Sequence, residues 1–346
     1  MKIPEKLSDM IPYTPDMGEY KIRLDANESF LLPNKNIAEN ITEACKGVKL
    51  NRYPDPMAAK VCKAFGKVHN INEKLITAGN GSDELISVIT SSFIEKGDKV
   101  LCFTPDFSMY SFYCGITENP VITMQKNDDF SIDTDAVIST IKENDVKMLI
   151  FSNPCNPTSV GLEREEVVKI IKSTEALIVL DEAYMDFWNQ SLLDCVADFD
   201  NLIILKTCSK AFGSAAIRLG FAIANERLTS YIRMAKSPYN VNSLTQVCGE
   251  VILSDKEGLL AATEKVIKER DYLYNCLKEL AFIDFMPKPC TNFVAVRTKN
   301  SEYIYEKLKE YGILVRITGG FLRITAGSRE ENEELISAIK RIGEKL

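Results

Sequence analysis

Histidine is almost absent from this chain of 346 residues, which contains only His69. A zinc site with imidazole ligands is therefore nearly excluded, as is a Ser-His triad unless His69 serves it. Because His69 stands in the polar stretch GKVHNINE, we expect it at the surface. If the chain is an enzyme, we expect its proton shuttle to be a residue other than histidine, and no metal site is predicted.

Long hydrophobic runs and closely spaced cysteines are missing too. No stretch approaches about 18 uncharged apolar residues, so a membrane-spanning helix is not expected. The opening residues MKIPEKLSDMIPYTP carry acids and prolines where a signal peptide has an apolar core. The ten cysteines show no C-x-x-C spacing, which favours free thiols in a reducing compartment. We therefore expect a cytoplasmic protein.

Neither sign of charge is in large excess. The chain has 49 acidic and 42 basic residues, a net charge of -7, and no long block of like charge. A nucleic-acid-binding surface is therefore not predicted. With 45% apolar residues, the chain can bury a sizeable core, which is typical of two domains or of one large domain with an appendage.

What the sequence does contain is a regular alternation of short apolar runs and helical patterns. Strands are predicted at 74–79, 99–105, 146–154, 176–184, 201–210 and 219–225. These runs are apolar throughout, which indicates a largely parallel α/β sheet with both faces covered. After about residue 240, long helices and three later strands, NFVAVRT, GILVRIT and FLRITAG, predict a smaller α+β unit. The predicted large domain covers residues 36–245. Residues 246–346 form the predicted small domain, and residues 1–35 form an N-terminal arm that is grouped with it.

Ligands of open α/β sheets bind beyond the carboxyl ends of the strands. The stretch AGNGSDELI places Gly81, Ser82 and Asp83 between a predicted strand and a helix, where backbone amides favour an anion. An ordinary turn with an N-cap is the alternative. In SNPCNPTSVG, Asn153 and Asn156 each precede proline, so they form either a plain turn or amides that point into the crevice.

Two further strand ends, and an arginine eight residues after the second, carry reactive or charged groups. Asp181 and Tyr184 follow a buried strand, where the acid either caps a segment or is held for a bound cation. Lys210 ends the run LIILKTCSK, and an enclosed lysine has a lowered pKa and can form a Schiff base. Arg218 can hold a phosphate by bidentate donation. Pyridoxal phosphate needs this set: an amine, an acid for its ring nitrogen, donors for its ring oxygen and a phosphate cradle.

With these motifs, the sequence resembles the fold-type I pyridoxal-phosphate aminotransferases of class I/II, and most closely the histidinol-phosphate aminotransferases. The resemblance runs over nearly the whole chain. The segments that carry it are RLDANESF (23–30), NRYPDP (51–56), GNGSDE (79–84), PDFSMY (105–110), SNPCNPTS (152–159), DEAYMDF (181–187), TCSKAFGSAAIRLGF (207–221), PYNVNSLTQ (238–246) and LRITAGSREEN (322–332). It implies an α/β fold with a mostly parallel, seven-stranded type of sheet between helices, plus a smaller α+β domain.

The resemblance also implies a role for each candidate residue. Lys210 binds the cofactor aldehyde and shuttles the proton, Asp181 pairs with the ring nitrogen, and Tyr184 is the third catalytic residue. Further cofactor contacts are implied for Gly81, Ser82, Asp83, Phe107, Asn156, Thr207, Ser209 and Arg218, and for Tyr53 at the phosphate of the neighbouring subunit of a homodimer. Substrate contacts are implied for Tyr13, Asn27, Asn156 and Arg323.

The implied reaction is amino transfer from L-histidinol phosphate to 2-oxoglutarate, as a step of histidine biosynthesis. Ser159 stands where the family has glycine, YTPD replaces YTPG, and RITGGFLRIT is shortened. These departures concern the substrate entrance more than the cofactor. An aromatic amino acid aminotransferase, a threonine-phosphate decarboxylase and a catalytically silent binding protein on this fold are the alternatives.

Overall fold

The computed structural model describes residues 3–8 and 14–346 of the chain. Its α-helices are α1 Glu5–Ser8, α2 Lys35–Lys46, α3 Ala59–His69, α4 Gly81–Ser92, α5 Met109–Ile116, α6 Thr134–Glu143, α7 Arg164–Ser173, α8 Glu226–Ala235, α9 Ser243–Ser254, α10 Lys256–Leu277, α11 Ser301–Glu310 and α12 Arg329–Gly343. Its strands are β1 Ile22–Arg23, β2 Ile76–Gly79, β3 Lys99–Thr104, β4 Val121–Gln125, β5 Val146–Ser152, β6 Leu177–Asp181, β7 Leu202–Thr207, β8 Gly220–Ala224, β9 Phe293–Val296, β10 Ile313–Leu314, β11 Arg316–Thr318 and β12 Phe321–Thr325.

Seven of these strands form one sheet in the order β2-β8-β7-β6-β5-β3-β4. β8 pairs antiparallel with both β2 and β7, while the other neighbours pair parallel. β6 and β7 are buried along nearly their whole length, as strands covered on both faces should be. The predicted α/β fold with a mostly parallel seven-stranded sheet is confirmed.

A second, smaller sheet lies in the last quarter of the chain. It has three antiparallel strands in the order β11-β12-β9, and β1 pairs separately with β10. Its own apolar core includes Leu273, Val294, Leu322 and Leu335, distinct from the cores on the two faces of the large sheet. The predicted boundary at residue 245 stays a prediction; it falls inside α9, whose Ile252 belongs to a core cluster of the large sheet.

Three details differ from the sequence-based expectations. GILVRIT, read as one strand, divides into β10 and β11, and β4 was not predicted. His69, expected at the surface, is half-buried, and its ring lies 4.4 Å from that of Phe65 and 5.9 Å from that of Phe212. The reason is helical spacing: His69 is four residues after Phe65 and shares the core-facing side of α3. Burial lowers the pKa of His69 to about 4.

Among the helices of the described residues, none combines the length and the apolar character that crossing a membrane requires.

Candidate active site

The sequence-predicted polar residues gather at one edge of the large sheet. β5, β6 and β7 run parallel, with Ser152 paired to Asp181 near their carboxyl ends. The loops that follow these strands carry Asn156, Tyr184 and Lys210. Because parallel strands end at the same edge, these loops emerge side by side.

Lys210 lies just beyond the carboxyl end of β7 and is half-buried. Nζ donates a hydrogen bond to the carbonyl oxygen of Ala26 at 3.0 Å and lies 5.9 Å from the centre of the Tyr184 ring. Burial, together with the positive charge of Arg323, lowers the pKa of Lys210 to about 8. An amine with such a pKa is partly neutral near neutral pH, so it can act as a nucleophile and as a base.

Asp181 is the last residue of β6 and is buried, with only 4% of its surface exposed. Oδ1 accepts a hydrogen bond from the backbone N–H of Ala183 at 3.0 Å, and Oδ2 accepts one from the hydroxyl of Tyr110 at 2.8 Å. Burial raises the pKa of Asp181 to about 7 although both hydrogen bonds oppose the shift. The carboxyl group is therefore fixed in orientation and would gain from a nearby cation.

The first turn of α4 and the loop after β7 form a cradle for an anion. Arg218 Nη2 lies 3.5 Å from Asp83 Oδ2, and Nη1 donates to Ser209 Oγ at 3.4 Å. Gly81 has a backbone φ of 81°, a value that favours glycine, and a Cβ there would come within 2.7 Å of Arg218 Nη2. A Cβ on Gly220 would lie 2.5 Å from the backbone nitrogen of Ser82, at the point where β8 presses against the start of α4. Backbone amides and a guanidinium therefore meet at a helix N-terminus.

A chain of hydrogen bonds joins the N-terminal segment to the loops around Lys210. The side-chain amide of Asn27 donates to the Tyr184 hydroxyl at 2.8 Å, and burial raises the pKa of Tyr184 to about 12. Arg323 Nη1 donates to Asn156 Oδ1 at 2.7 Å, and Nη2 contacts the Asp25 carbonyl oxygen. Asn27 is 1% exposed and lies against Tyr184. Its predicted contact with the substrate stays a prediction.

Arg316 was not singled out from the sequence, and the structure places it beside Arg323. The two residues are directly opposite in the antiparallel pair β11 and β12, so their side chains project from the same face of the small sheet. Like charges in this arrangement repel, and an anion between them would relieve the repulsion. The sequence signal was the arginine in GILVRIT, which could be matched to Arg323 only once the strand register was known.

A buried ion pair under the site was also missed. Lys126 Nζ lies 3.4 Å from Asp106 Oδ2, and both side chains are at most 2% exposed. Asp106 Oδ1 accepts from the backbone N–H of Phe107 at 2.7 Å and from the hydroxyl of Ser152. Ser152 Oγ in turn accepts from the backbone N–H of Asn156 at 3.1 Å. One buried carboxylate thus holds the backbone of two predicted cofactor contacts.

Ser159, which departs from the family pattern, has a backbone φ of 63°, a value that favours glycine. Its side chain is fully buried, and its Oγ lies 2.6 Å from Thr291 Oγ1 and 3.2 Å from the Phe293 carbonyl oxygen. These hydrogen bonds offset part of the backbone strain. Ser159 thus links the loop after β5 to the segment that leads into β9.

The remaining predicted residues occupy varied positions. Thr207 Oγ1 donates to Ser209 Oγ at 3.0 Å and so shapes the turn before Lys210. Phe107 is half-buried and packs edge to face on Tyr110, with ring centres 5.5 Å apart. Tyr53 is 80% exposed and stacks on Tyr239 at 4.5 Å, so the structure does not bring it to the others. Tyr13 lies outside the described residues.

The fold is that of an α/β protein, with a half-buried lysine beyond the carboxyl end of a central strand. Residues 19–339 match the model of the family described as aminotransferase class I and II, and the chain belongs to this family. Its architecture is the fold-type I aminotransferase fold, as the resemblance implied.

Among curated relatives, the chain is 44% identical to a histidinol-phosphate aminotransferase of Clostridium novyi, over 96% of this chain and 95% of the relative. Among solved structures, it is similar to the histidinol-phosphate aminotransferase of Clostridium acetobutylicum, with a TM-score of 0.86 and 25% identity over 94% of this chain and 100% of that one. A histidinol-phosphate aminotransferase of Sinorhizobium meliloti in complex with pyridoxal-5'-phosphate shares the fold, with a TM-score of 0.89 and 20% identity over 99% and 98%.

Proposed function

We propose that this chain transfers the amino group of L-histidinol phosphate to 2-oxoglutarate, giving imidazole-acetol phosphate and L-glutamate, with pyridoxal 5'-phosphate as the cofactor. The relatives at 35–44% identity that carry the name histidinol-phosphate aminotransferase support this reaction. The observation that carries the choice of substrate is the pair of arginines, Arg316 and Arg323, on one face of the small sheet.

The described residues fit this cofactor. Asp181 is a buried acid whose pKa of about 7 leaves it ready to be matched by a cationic ring nitrogen. The lack of a side chain at Gly81, beside Arg218, leaves the backbone at the start of α4 open to a phosphate. The half-buried amine of Lys210, with its lowered pKa, suits an aldehyde. When bound, the cofactor supplies the aldehyde that takes up the amino group and the ring that accepts the electron pair of the Cα–H bond.

The proposed roles follow from the contacts of each side chain. Lys210 Nζ, with a pKa of about 8, takes the Cα proton of the bound amine and later returns a proton. Asp181 holds a positive charge at the ring nitrogen. Tyr184, positioned by Asn27, and Asn156, positioned by Arg323, donate to the ring oxygen. Arg218 and Ser209 bind the cofactor phosphate.

A phosphate-bearing amine is favoured over an aromatic amino acid because of charge. A phosphate monoester carries close to two negative charges at neutral pH, and Arg316 with Arg323 offers two positive ones at adjacent positions. The charge of Arg323 is already felt at Lys210, so an anion bound there lies near the reactive amine. The two carboxylates of 2-oxoglutarate can use the same pair in the second half of the reaction.

The proposal includes a homodimer in the cytoplasm. Tyr53 is 80% exposed and Leu50 is 84% exposed, and large apolar side chains at this exposure favour a covering partner. A second copy would allow Tyr53 to reach the neighbouring subunit's phosphate site, as the resemblance implied. All ten cysteines are free, as expected in a reducing compartment. Light scattering of the purified protein measures the oligomeric state.

The deciding experiment is a half-reaction screen on the cofactor-loaded protein. L-histidinol phosphate, L-phenylalanine, L-tyrosine and O-phospho-L-threonine are each added, and conversion of the cofactor absorbance is followed, with carbon dioxide release as a second readout. We expect the fastest conversion with histidinol phosphate and no carbon dioxide. Equal or faster conversion of the aromatic acids would make the chain an aromatic aminotransferase, and carbon dioxide release from phosphothreonine would make it a decarboxylase.

A further inference from the structure

Tyr110 is a buried residue at the site to which neither the sequence motifs nor the family resemblance gave a role. It lies in the first turn of α5 and is 1% exposed. Its hydroxyl donates a 2.8 Å hydrogen bond to Asp181 Oδ2, across 71 residues of sequence. A buried phenol that ends on a buried carboxylate has to be explained, because both groups lose their hydration on folding.

The two carboxyl oxygens of Asp181 accept hydrogen bonds from different kinds of donor, one from the backbone and one from a side chain. Oδ1 is held by the backbone N–H of Ala183, which belongs to the same turn as Asp181. Oδ2 is held by Tyr110, which comes from a different element of the fold. The backbone bond alone leaves the carboxyl group free to rotate about that contact, whereas two bonds from different directions fix its plane.

Tyr110 also touches a second predicted cofactor contact. Its ring packs edge to face against Phe107, with centres 5.5 Å apart and planes at 82°. Replacing Tyr110 with phenylalanine would keep this ring contact and remove only the hydroxyl. The chain therefore offers a substitution that separates the bond to Asp181 from the packing of Phe107.

We propose that Tyr110 is a positioning residue for the cofactor ring: its hydroxyl fixes Asp181 Oδ2 and keeps Asp181 in the charged form that faces the ring nitrogen. This inference rests on the proposed function, since it assumes that pyridoxal 5'-phosphate binds beside Asp181. Tyr110 acts through Asp181 and does not itself touch substrate.

The electrostatic surroundings agree with this role. Burial raises the pKa of Asp181, and the negative charges of Asp83 and Asp106 raise it further. The Tyr110 hydrogen bond acts in the opposite direction, because it stabilises the carboxylate. Burial and the charges of Asp181 and Asp106 raise the pKa of Tyr110 well above its usual value, so the phenol stays a donor throughout the working pH range.

The test compares Tyr110→Phe with wild-type protein for two cofactors. Apoprotein is titrated with pyridoxal 5'-phosphate and with its deaza analogue, in which a carbon replaces the ring nitrogen. The dissociation constant is read from cofactor absorbance and protein fluorescence. Tyr113→Phe is the matched control, because it removes a half-buried hydroxyl from the next turn of the same helix.

We expect Tyr110→Phe to weaken binding of the natural cofactor by about tenfold, the usual effect of one hydrogen bond to a charged group. Binding of the deaza analogue should change by less than about twofold, because its ring has no nitrogen for Asp181 to meet. Tyr113→Phe should leave both constants unchanged. Thermal melting of each apoprotein shows whether the variants are folded.

Two outcomes would overturn the role of Tyr110. An equal loss of affinity for both cofactors would mean that the hydroxyl only supports packing, and no loss for either would mean that Asp181 is held without it. If Tyr110→Phe does not fold, Tyr110→Trp and Tyr110→Leu with the same two cofactors replace it, and the same comparison decides. Failure of the proposed cofactor is distinguishable, because wild-type protein would then bind neither compound, and failure of the proposed amino donor is read separately from the half-reaction screen.

Discussion

Around the large sheet, two buried lysines each face a carboxylate, whereas across the small sheet two arginines lie opposite each other. Lys126 lies 3.4 Å from Asp106, and Lys206 lies 2.8 Å from Asp186. Arg316 and Arg323 are directly opposite in neighbouring strands. The first arrangement pairs opposite charges within the chain, while the second places two like charges side by side. The proposed function uses this second arrangement to bind the substrate.

Lys210, at the same sheet, differs from Lys126 and Lys206 because its amine contacts no carboxylate among the hydrogen bonds described. It is separated from Lys206 by only three residues, yet its amine contacts a backbone carbonyl where that of Lys206 contacts a carboxylate. Burial, together with the positive charge of Arg323, lowers the pKa of Lys210 to about 8. The proposed function therefore gives the reactive role to Lys210 and a structural role to Lys206.

The largest effect is expected for Lys210→Ala, which tests the proposed reactive role of this lysine. We expect turnover to fall by at least about 10³-fold, because both the nucleophile and the proton shuttle are lost. The visible absorbance of the lysine-bound cofactor should disappear with it. Steady-state kinetics and absorbance spectra measure the two effects. Lys299→Ala, at an exposed position, is the control and should match wild type. Retention of the absorbance band by Lys210→Ala would assign the amine elsewhere.

Lys126→Met tests whether the large-sheet pairs are structural. Removing the ammonium leaves Asp106 buried without its partner, so we expect a loss of about 3–5 kcal/mol in the free energy of unfolding. Urea denaturation measures it. The matched control is Lys147→Met, which breaks an exposed pair with Asp145 on the same sheet and should cost less than about 1 kcal/mol. Similar losses in the two variants would contradict the prediction.

Asp181→Asn tests how the buried carboxyl group changes stability with pH. The pKa of Asp181 is about 7 in the folded protein, against an ordinary value of 3.8, so the folded apoprotein binds more protons than the unfolded chain between these two pH values. The charge on Asp181 therefore costs stability as pH rises through this window, and asparagine removes the cost. We expect the variant to gain roughly 2–4 kcal/mol relative to wild type between pH 4 and pH 8.

Denaturation of both apoproteins across this pH range measures that gain. Asp145→Asn is the control, because its pKa is lowered by Lys147 and the small effect should have the opposite sign. A difference between Asp181→Asn and wild type that does not vary with pH would show that the folded carboxyl titrates normally.

The small-sheet arginines give the smallest expected effect. Arg316→Met and Arg323→Met should each lower kcat/KM for histidinol phosphate by about 10- to 100-fold, the effect of one charge-assisted contact. L-histidinol, which lacks the phosphate, should be affected much less. Arg227→Met, exposed and bound to a backbone carbonyl, is the control. Equal losses for the two substrates would mean that the arginines only support the fold.

The sequence predicted the large sheet better than the small one for a physical reason. Strands covered on both faces are uniformly apolar, so ALIVLDEAY and NLIILKTCSK were recognisable without their neighbours. β4 is only partly buried and lacked this signal. GILVRIT was read as a single strand, because the break between β10 and β11 depends on which strand each half pairs with.

The candidate site divides in the same way. Lys210, Asp181 and Asn156 could be found because each follows a strand and lies in a motif. Tyr110 and Lys126 could not, since their partners are 71 and 20 residues away and the contacts exist only after folding.

By itself, the sequence determined the type of chemistry: the amine, the acid and the anion cradle are local features that follow strand ends in a fixed order. The pKa values and the relative positions of those groups depend on the tertiary structure. Burial lowers the pKa of Lys210, and a tyrosine from another element holds Asp181 by a hydrogen bond. The strand register places Arg316 opposite Arg323. Burial and register depend on which distant segments meet, and local sequence patterns carry little of that information.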